Sequence, residues 1–196
     1  MLLKNNSAIT FIFAILFFFS FNTNANENQN VKAVDYLKEL RFFSTSFIQD
    51  DEASLSDGKI FIGENRIRVE YYDPVKILII LDKNKAMYYN YDLDEDEFFD
   101  PRDTSAWFFF DIFFNPEFFF EAKTKEKRNY IELVRGGYNN EEVYEIKIIF
   151  ENNPFVIRKI ILNQNDASLT LSFFDHKYNN SYDKDFFKLI NPTFFD

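Results

Sequence analysis

A chain of 196 residues with no cysteine, a single histidine and a formal charge of −10 is long enough for one domain with a real core, but has no disulfides to brace it. The acidic balance argues against nucleic acid and against firm adhesion to anionic lipid; a lone His without Cys removes the usual zinc and Cys/His sites. Phenylalanine is in excess, 28 residues, more aromatic surface than a core of this size needs, and part of it is available to line a cavity.

At the N-terminus Lys4 precedes an apolar run from Ala8 to Phe21. The run is 14 residues, short of the roughly 20 that cross a bilayer. With Thr23-Asn24-Ala25 behind it, it reads as a secretory leader cut after Ala25. Residues 26–196 then form a single exported domain. Val31, Val34, Leu37 and Leu40 recur every three residues among charges, which predicts an amphipathic helix of about three turns.

From Phe42 onward the apolar period becomes two. Phe43, Thr45 and Phe47 alternate with serines. Ile60 and Ile62 follow the turn Ser56-Asp57-Gly58, and Arg66-Ile67-Arg68-Val69-Glu70-Tyr71 is ended by Asp73-Pro74. Val75 to Leu81 is apolar on both faces apart from Lys76; Asp82-Lys83-Asn84 then turns the chain into Ala86 to Leu93. Thr104, a suitable N-cap, opens a predicted helix over 104–114, and Pro116 restarts a second short one. The second half predicts strands at Tyr130–Arg135, Val143–Phe150, Phe155–Leu162 and Ser168–Phe174. Gly136-Gly137 sits in a hairpin turn, and Phe186–Ile190 is a last short strand. The sum is a mainly β domain, an antiparallel sheet of roughly nine to eleven strands curled far enough to need helices as a cover.

Enzymatic chemistry finds little support. His176, beside Asp175, falls in a predicted turn as a solvated side chain. Asp92, Asp94, Glu95, Asp96 and Glu97 read as a solvated hairpin tip, without the ligand spacing or central glycine of a calcium loop. No carboxylate pair for glycoside chemistry stands out. The expectation is a protein that is not an enzyme and carries no metal and no cofactor. A strand apolar on both faces, Val75–Leu81, is covered on both sides, either by a helix and a loop or by a ligand cavity on one of them. The cavity face is assigned to Phe47, Ile67, Val69, Tyr71, Ile77, Ile79, Leu81 and Met87. The helix at 104–114 carries Trp107, Phe110, Phe113 and Phe114, with only Asp111 breaking its apolar surface, so it must be buried on several sides. It is either a lid over the sheet or a static core helix.

The order of these pieces resembles the outer-membrane lipoprotein carrier family over nearly the whole chain. The likeness is carried by the amphipathic helix and by Phe43-x-x-x-Phe47-x-Gln49. Gly58, Ile60 and Ile62 follow, and then the strand with Arg66, Arg68, Glu70 and Tyr71 ahead of Pro74. Ile77–Leu81, Met87–Leu93 and the C-terminal Asn180, Phe186, Phe187, Leu189 and Pro192 complete it. The resemblance implies an incomplete antiparallel β-barrel with an α-helical lid. It implies a periplasmic, monomeric carrier whose cavity takes acyl chains of lipoproteins from an inner-membrane lipoprotein-releasing ABC transporter. Cargo then passes to an outer-membrane receptor or to the outer membrane itself. Two departures stand out: Gly63-Glu64-Asn65 replaces the Arg-Pro or Lys-Pro that precedes the Arg-rich strand and latches the lid in some members, and Asn163 to Ser168 replaces an Asp-x-x-Gly turn. A lipid-sensing or assembly protein on the same scaffold is the alternative.

Overall fold

The computed structural model describes residues 23–139 and 142–195. The leader expected at residues 1–25 falls, up to residue 22, outside the described residues. The chain opens with helix α1 (Thr23–Glu39), which continues N-terminally past the periodic stretch. Its buried stripe is Asn30, Ala33, Val34 and Leu37, continued by Leu40 just past its end, whereas Val31 is 41% exposed. The strict three-residue spacing drifts off the buried face because the helix repeats every 3.6 residues; Ala33 takes the place expected of Val31.

Six strands then run as an antiparallel meander: β1 (Phe43–Asp50), β2 (Leu55–Ile62), β3 (Ile67–Asp73), β4 (Ile77–Leu81), β5 (Ala86–Asn90) and β6 (Glu95–Phe99). A 3-10 turn at Pro101–Asp103, helix α2 (Ala106–Phe114) and a second 3-10 turn at Pro116–Glu121 follow. A second meander closes the fold with β7 (Lys123–Glu126), β8 (Tyr130–Asn139), β9 (Glu142–Asn152), β10 (Phe155–Gln164) and β11 (Ala167–Lys177). The first and last strands pair, Phe47 opposite Phe173, and this joins the meanders into one sheet of order β6-β5-β4-β3-β2-β1-β11-β10-β9-β8-β7. The sheet is curved and does not close. Its free edges are β6 and β7, and the chain crosses between them through the helical segment.

The pleat sorts the residues onto two faces. Phe43, Phe47, Ile60, Ile62, Ile67, Leu81, Ile131, Leu133, Ile146, Ile148, Ile160, Leu171 and Phe173 belong to one concave core with the stripe of α1 and with Phe108, Ile112 and Phe113 of α2. On the other face of β4 and β5, Leu78, Ile80, Met87 and Tyr89 form a separate cluster against Leu189. Thus both sides of the two-faced strand are covered, one by the concave core and the other by the C-terminal segment.

Three local expectations are corrected. Gly136 and Gly137 lie inside β8, opposite Glu145 and Tyr144, and the hairpin reverses beyond Asn139; a Cβ on Gly137 would meet the Tyr144 ring at 2.9 Å, so the pair serves close packing and not the turn. Phe186–Ile190 forms no strand. Its backbone turns, so that Phe186 and Phe187 both reach the outer face of the sheet. His176 is a β11 residue, half-buried. Its Nε2 donates to the Ile157 carbonyl at 2.8 Å and its Nδ1 stands 2.8 Å from the Thr45 hydroxyl.

Candidate ligand cavity

Between the concave face and the first turn of α2 the core is incomplete. A cavity of about 200 Å³ is lined there by Phe47, Ile60, Ile67, Val69, Tyr71, Ile79 and Leu81 from β1 to β4, by Leu169 and Leu171 of β11, and by Ala106 and Phe109 of α2. The strand residues converge through register: Val69 stands opposite both Ile60 and Ile79, and Ile67 opposite Leu81. Gly58 makes room at the back. An added Cβ would lie 2.2 Å from the Glu70 carbonyl oxygen and 2.8 Å from Phe47 Cζ. Phe47 meets Tyr71 edge to face at 5.2 Å. The Tyr71 hydroxyl donates to Gln49 Oε1 at 2.8 Å. Burial, with a smaller contribution from the Asp51 charge, pushes Tyr71 up to about 12, so it stays a neutral donor. No charged side chain lines this cavity.

Six of the eight residues assigned to the cavity face, Phe47, Ile67, Val69, Tyr71, Ile79 and Leu81, are brought together here. Ile77 lies on the same face one step further along β4 and is half-buried outside the lining. Met87 is a correction. It pairs with Ile80 and lies with Leu78 and Tyr89 on the opposite side of the sheet, while the concave positions of β5 are Ala86, Tyr88 and Asn90. The β4–β5 register, set by a turn of only four residues, decides that parity.

The aromatic residues assigned to the lid all belong to α2, but they anchor it and do not face the cavity. Trp107 stacks on Phe110 at 5.8 Å, Phe110 meets Phe114 at 4.6 Å, and Phe113 is in the core. On the far side Phe108 packs against Tyr144 at 4.6 Å. Asp111 is the one polar interruption. Burial raises its pKa, offset in part by hydrogen bonds from Asn115 and Trp107. Thr104 is not the N-cap, which is Ser105, yet its hydroxyl still accepts from Ala106 N.

Arg66, Arg68 and Glu70 alternate with the cavity residues and therefore point outward. Arg66 donates to Asp82 at 2.9 Å and to the Phe187 carbonyl at 3.0 Å. Arg68 donates to Glu70 at 2.7 Å and to the Phe186 carbonyl at 2.8 Å, with its guanidinium 4.4 Å from the centre of the Phe186 ring. The basic strand thus fastens the C-terminal segment across the outer face. Pro74 follows a cis peptide in the β3–β4 turn.

A second, larger cavity of about 750 Å³ adjoins the first and shares Gln49, Ser105 and Leu169 with it. Its other walls mix the apolar Leu162 and Ala167 with polar and charged groups, among them Asp51, Arg102, Asp103, Glu142, Gln164 and Asn165. Leu169, Leu171, Ala106 and Phe109 escaped the sequence reading. The β1–β11 pairing joins residues more than a hundred positions apart, and no local pattern marks it. Phe109 was visible only as one of three consecutive phenylalanines. Among the described residues no group of three or more His, Cys, Asp or Glu is placed to hold a metal ion, and no helix is long and apolar enough to cross a membrane.

No family model matches the chain. An uncharacterized protein of Rickettsia prowazekii (strain Madrid E) is 25% identical over 165 residues, 82% of this chain and 76% of that protein. The crystal structure of MucB superposes with a TM-score of 0.50 at 12% identity, over 84% of this chain and 62% of that one. An uncharacterized conserved protein from Thermus thermophilus gives a TM-score of 0.49 at 8% identity, over 81% of this chain and 95% of that one. The chain has the fold of MucB, a curved antiparallel sheet with helices on its concave side, and spans about three-fifths of MucB's length.

Proposed function

We propose that this protein is a non-enzymatic periplasmic carrier that binds acyl chains of lipoproteins between its curved sheet and α2 and moves them from the inner to the outer membrane. The observation that carries the reading is the apolar, uncharged cavity left beneath the first turn of α2 in a core otherwise filled. The leader expected at residues 1–25 and the family resemblance support the compartment and the cargo.

Acyl burial gains about 0.8 kcal/mol per methylene, roughly 12 kcal/mol for a sixteen-carbon chain. A cavity of 200 Å³ is below the roughly 300–1,000 Å³ of ordinary ligand pockets. It admits the end of a chain, and the remainder requires α2 to move off the sheet. Opening gives up part of the helix's own packing, so the net affinity is moderate and release remains feasible. Gly63-Glu64-Asn65 stands where some carriers have the Arg-Pro or Lys-Pro of a lid latch, so in this reading the cover is held without that Arg.

The decisive experiment is mass spectrometry of an organic extract of protein purified from periplasm, together with lipoprotein uptake by Ile79→Asp. Co-purified acyl lipid, and loss of uptake in a variant still folded by circular dichroism, are the expected results. Normal uptake by that folded variant would refute the cavity assignment. A sensor or assembly protein on the same scaffold is favoured by the small volume. It would bind lipid or a protein partner without transferring lipoprotein between membranes.

A further inference from the structure

We infer that the larger cavity at the mouth is a head-group site, and that the two cavities together prefer an acyl chain whose attached head carries positive charge. The inference rests on the carrier reading and narrows its ligand class. The apolar cavity and the larger one, whose lining mixes polar and charged groups with Leu162 and Ala167, share Gln49, Ser105 and Leu169, so a chain seated under α2 has the larger cavity beside it for its head. The shared Gln49 has its Oε1 occupied by Tyr71, which leaves its amide N–H groups for a carbonyl or hydroxyl where chain meets head.

Charge sets the sign of the head. Asp51, Asp103 and Glu142 line the mouth. Arg102, the cation among the lining residues, is engaged in a bidentate pair with Asp100, so its charge is already met. Asp51 accepts from the amide and the hydroxyl of Ser54 and, less strongly, from the amide of Ala53, and these bonds hold its carboxyl below the usual range; it is ionised whenever the protein is near neutrality. The one feature favouring an anion is the N-terminus of α2 beside Ser105. It carries only about half an elementary charge, and the first amides of the helix already bond Thr104 and Ser105. Three carboxylates outweigh it.

The test compares dodecyltrimethylammonium, dodecyl maltoside and dodecyl sulfate, each below its micelle concentration, by calorimetric titration of the protein at low salt. The chain is constant and only the head varies. The cationic probe is expected to bind about tenfold tighter than the anionic one, a preference that shrinks as salt screens the mouth. In the double variant Asp103→Asn, Glu142→Gln, isosteric at both positions, the preference of the cationic over the anionic probe should fall to about threefold. Equal binding of all heads, preference for the sulfate, or a cationic preference untouched by both the variant and salt would overturn the head-group assignment and leave the apolar cavity standing. Failure of every probe to bind would overturn the cavity reading itself.

Discussion

At the scale of single residues, close approach explains more than conformational freedom does. Gly58 has no positive φ, yet nothing larger fits between the Glu70 carbonyl and the Phe47 ring. Gly58→Ala gains about 0.4–1 kcal/mol by restricting the unfolded chain, but overpacking costs about 1–3 kcal/mol. Net destabilisation of about 1–2 kcal/mol is expected in urea unfolding, and an unchanged midpoint would contradict the crowding. His176 makes the residue scale pH-dependent. Burial lowers its pKa below 6.5, against the opposing bond to Ile157. A folded pKa below the unfolded one means that its stabilising contribution is present above 6.5 and is lost as the pH falls through that value and the lower folded one. The melting temperature should therefore decline from about pH 8 to about pH 5, and His176→Gln should flatten that slope. Asp111 acts with opposite sign. Its raised pKa costs stability when ionised, and the cost is relieved as acid protonates it, in a window reaching down toward 3.8.

At the scale of elements, α2 decides how the cavity opens. Ala106 is its smallest residue facing the void. Ala106→Leu should fill it, raising stability by about 0.5–2 kcal/mol while cutting uptake of a hydrophobic dye. Trp107, the chain's one tryptophan, reports the event: its emission should shift when the unaltered protein is loaded and stay still in Ala106→Leu. Full uptake by a stabilised variant would mean that the chain enters elsewhere. This element also shows how far a sequence can be read. Its burial was legible because seven of its nine residues are Trp, Phe or Ile, and such a helix has no wet face. Which side meets the void was not, since almost every position was apolar and the periodicity carried no phase. The strands behaved oppositely. Alternation named six cavity residues from β1, β3 and β4, because Arg66, Arg68 and Glu70 mark the outer face unambiguously. It failed at Met87, whose neighbours Tyr88 and Tyr89 are apolar enough to fit either parity, and at β11, which reaches the site only by non-local pairing.

At the scale of the whole molecule, the outer face is closed by the C-terminal segment and the concave face by the helices. Arg68 holds the first of these with a carbonyl bond, an ion pair and a ring contact. Its side chain is only 17% exposed, so its truncation removes about 1.5–3 kcal/mol of charged hydrogen bonding. Arg68→Ala should free the segment locally before the sheet unfolds, visible as faster tryptic cleavage at Lys184 and Lys188. Cleavage at the unaltered rate would show that Phe186, Phe187 and Leu189 suffice. The two free edges are short and strongly charged, Glu95-Asp96-Glu97 on β6 and Lys123 and Lys125 on β7. That composition discourages strands of other molecules from adding to them.

The seam between those edges is not a strand pair. In a closed barrel the girth is fixed by strand number and stagger, because every strand is tied to its neighbours. Here the circuit is completed by residues 100–122, a clasp held by side-chain packing, by Asn30 and Arg135 hydrogen bonds and by the Lys38–Glu117 ion pair, and not by a backbone ladder. The bore of the molecule can therefore widen or narrow without breaking a single pair in the register, and its gauge is written in the length and bulk of the clasp. Shortening or lengthening that stretch is the way this architecture would be retuned for thinner or stouter cargo.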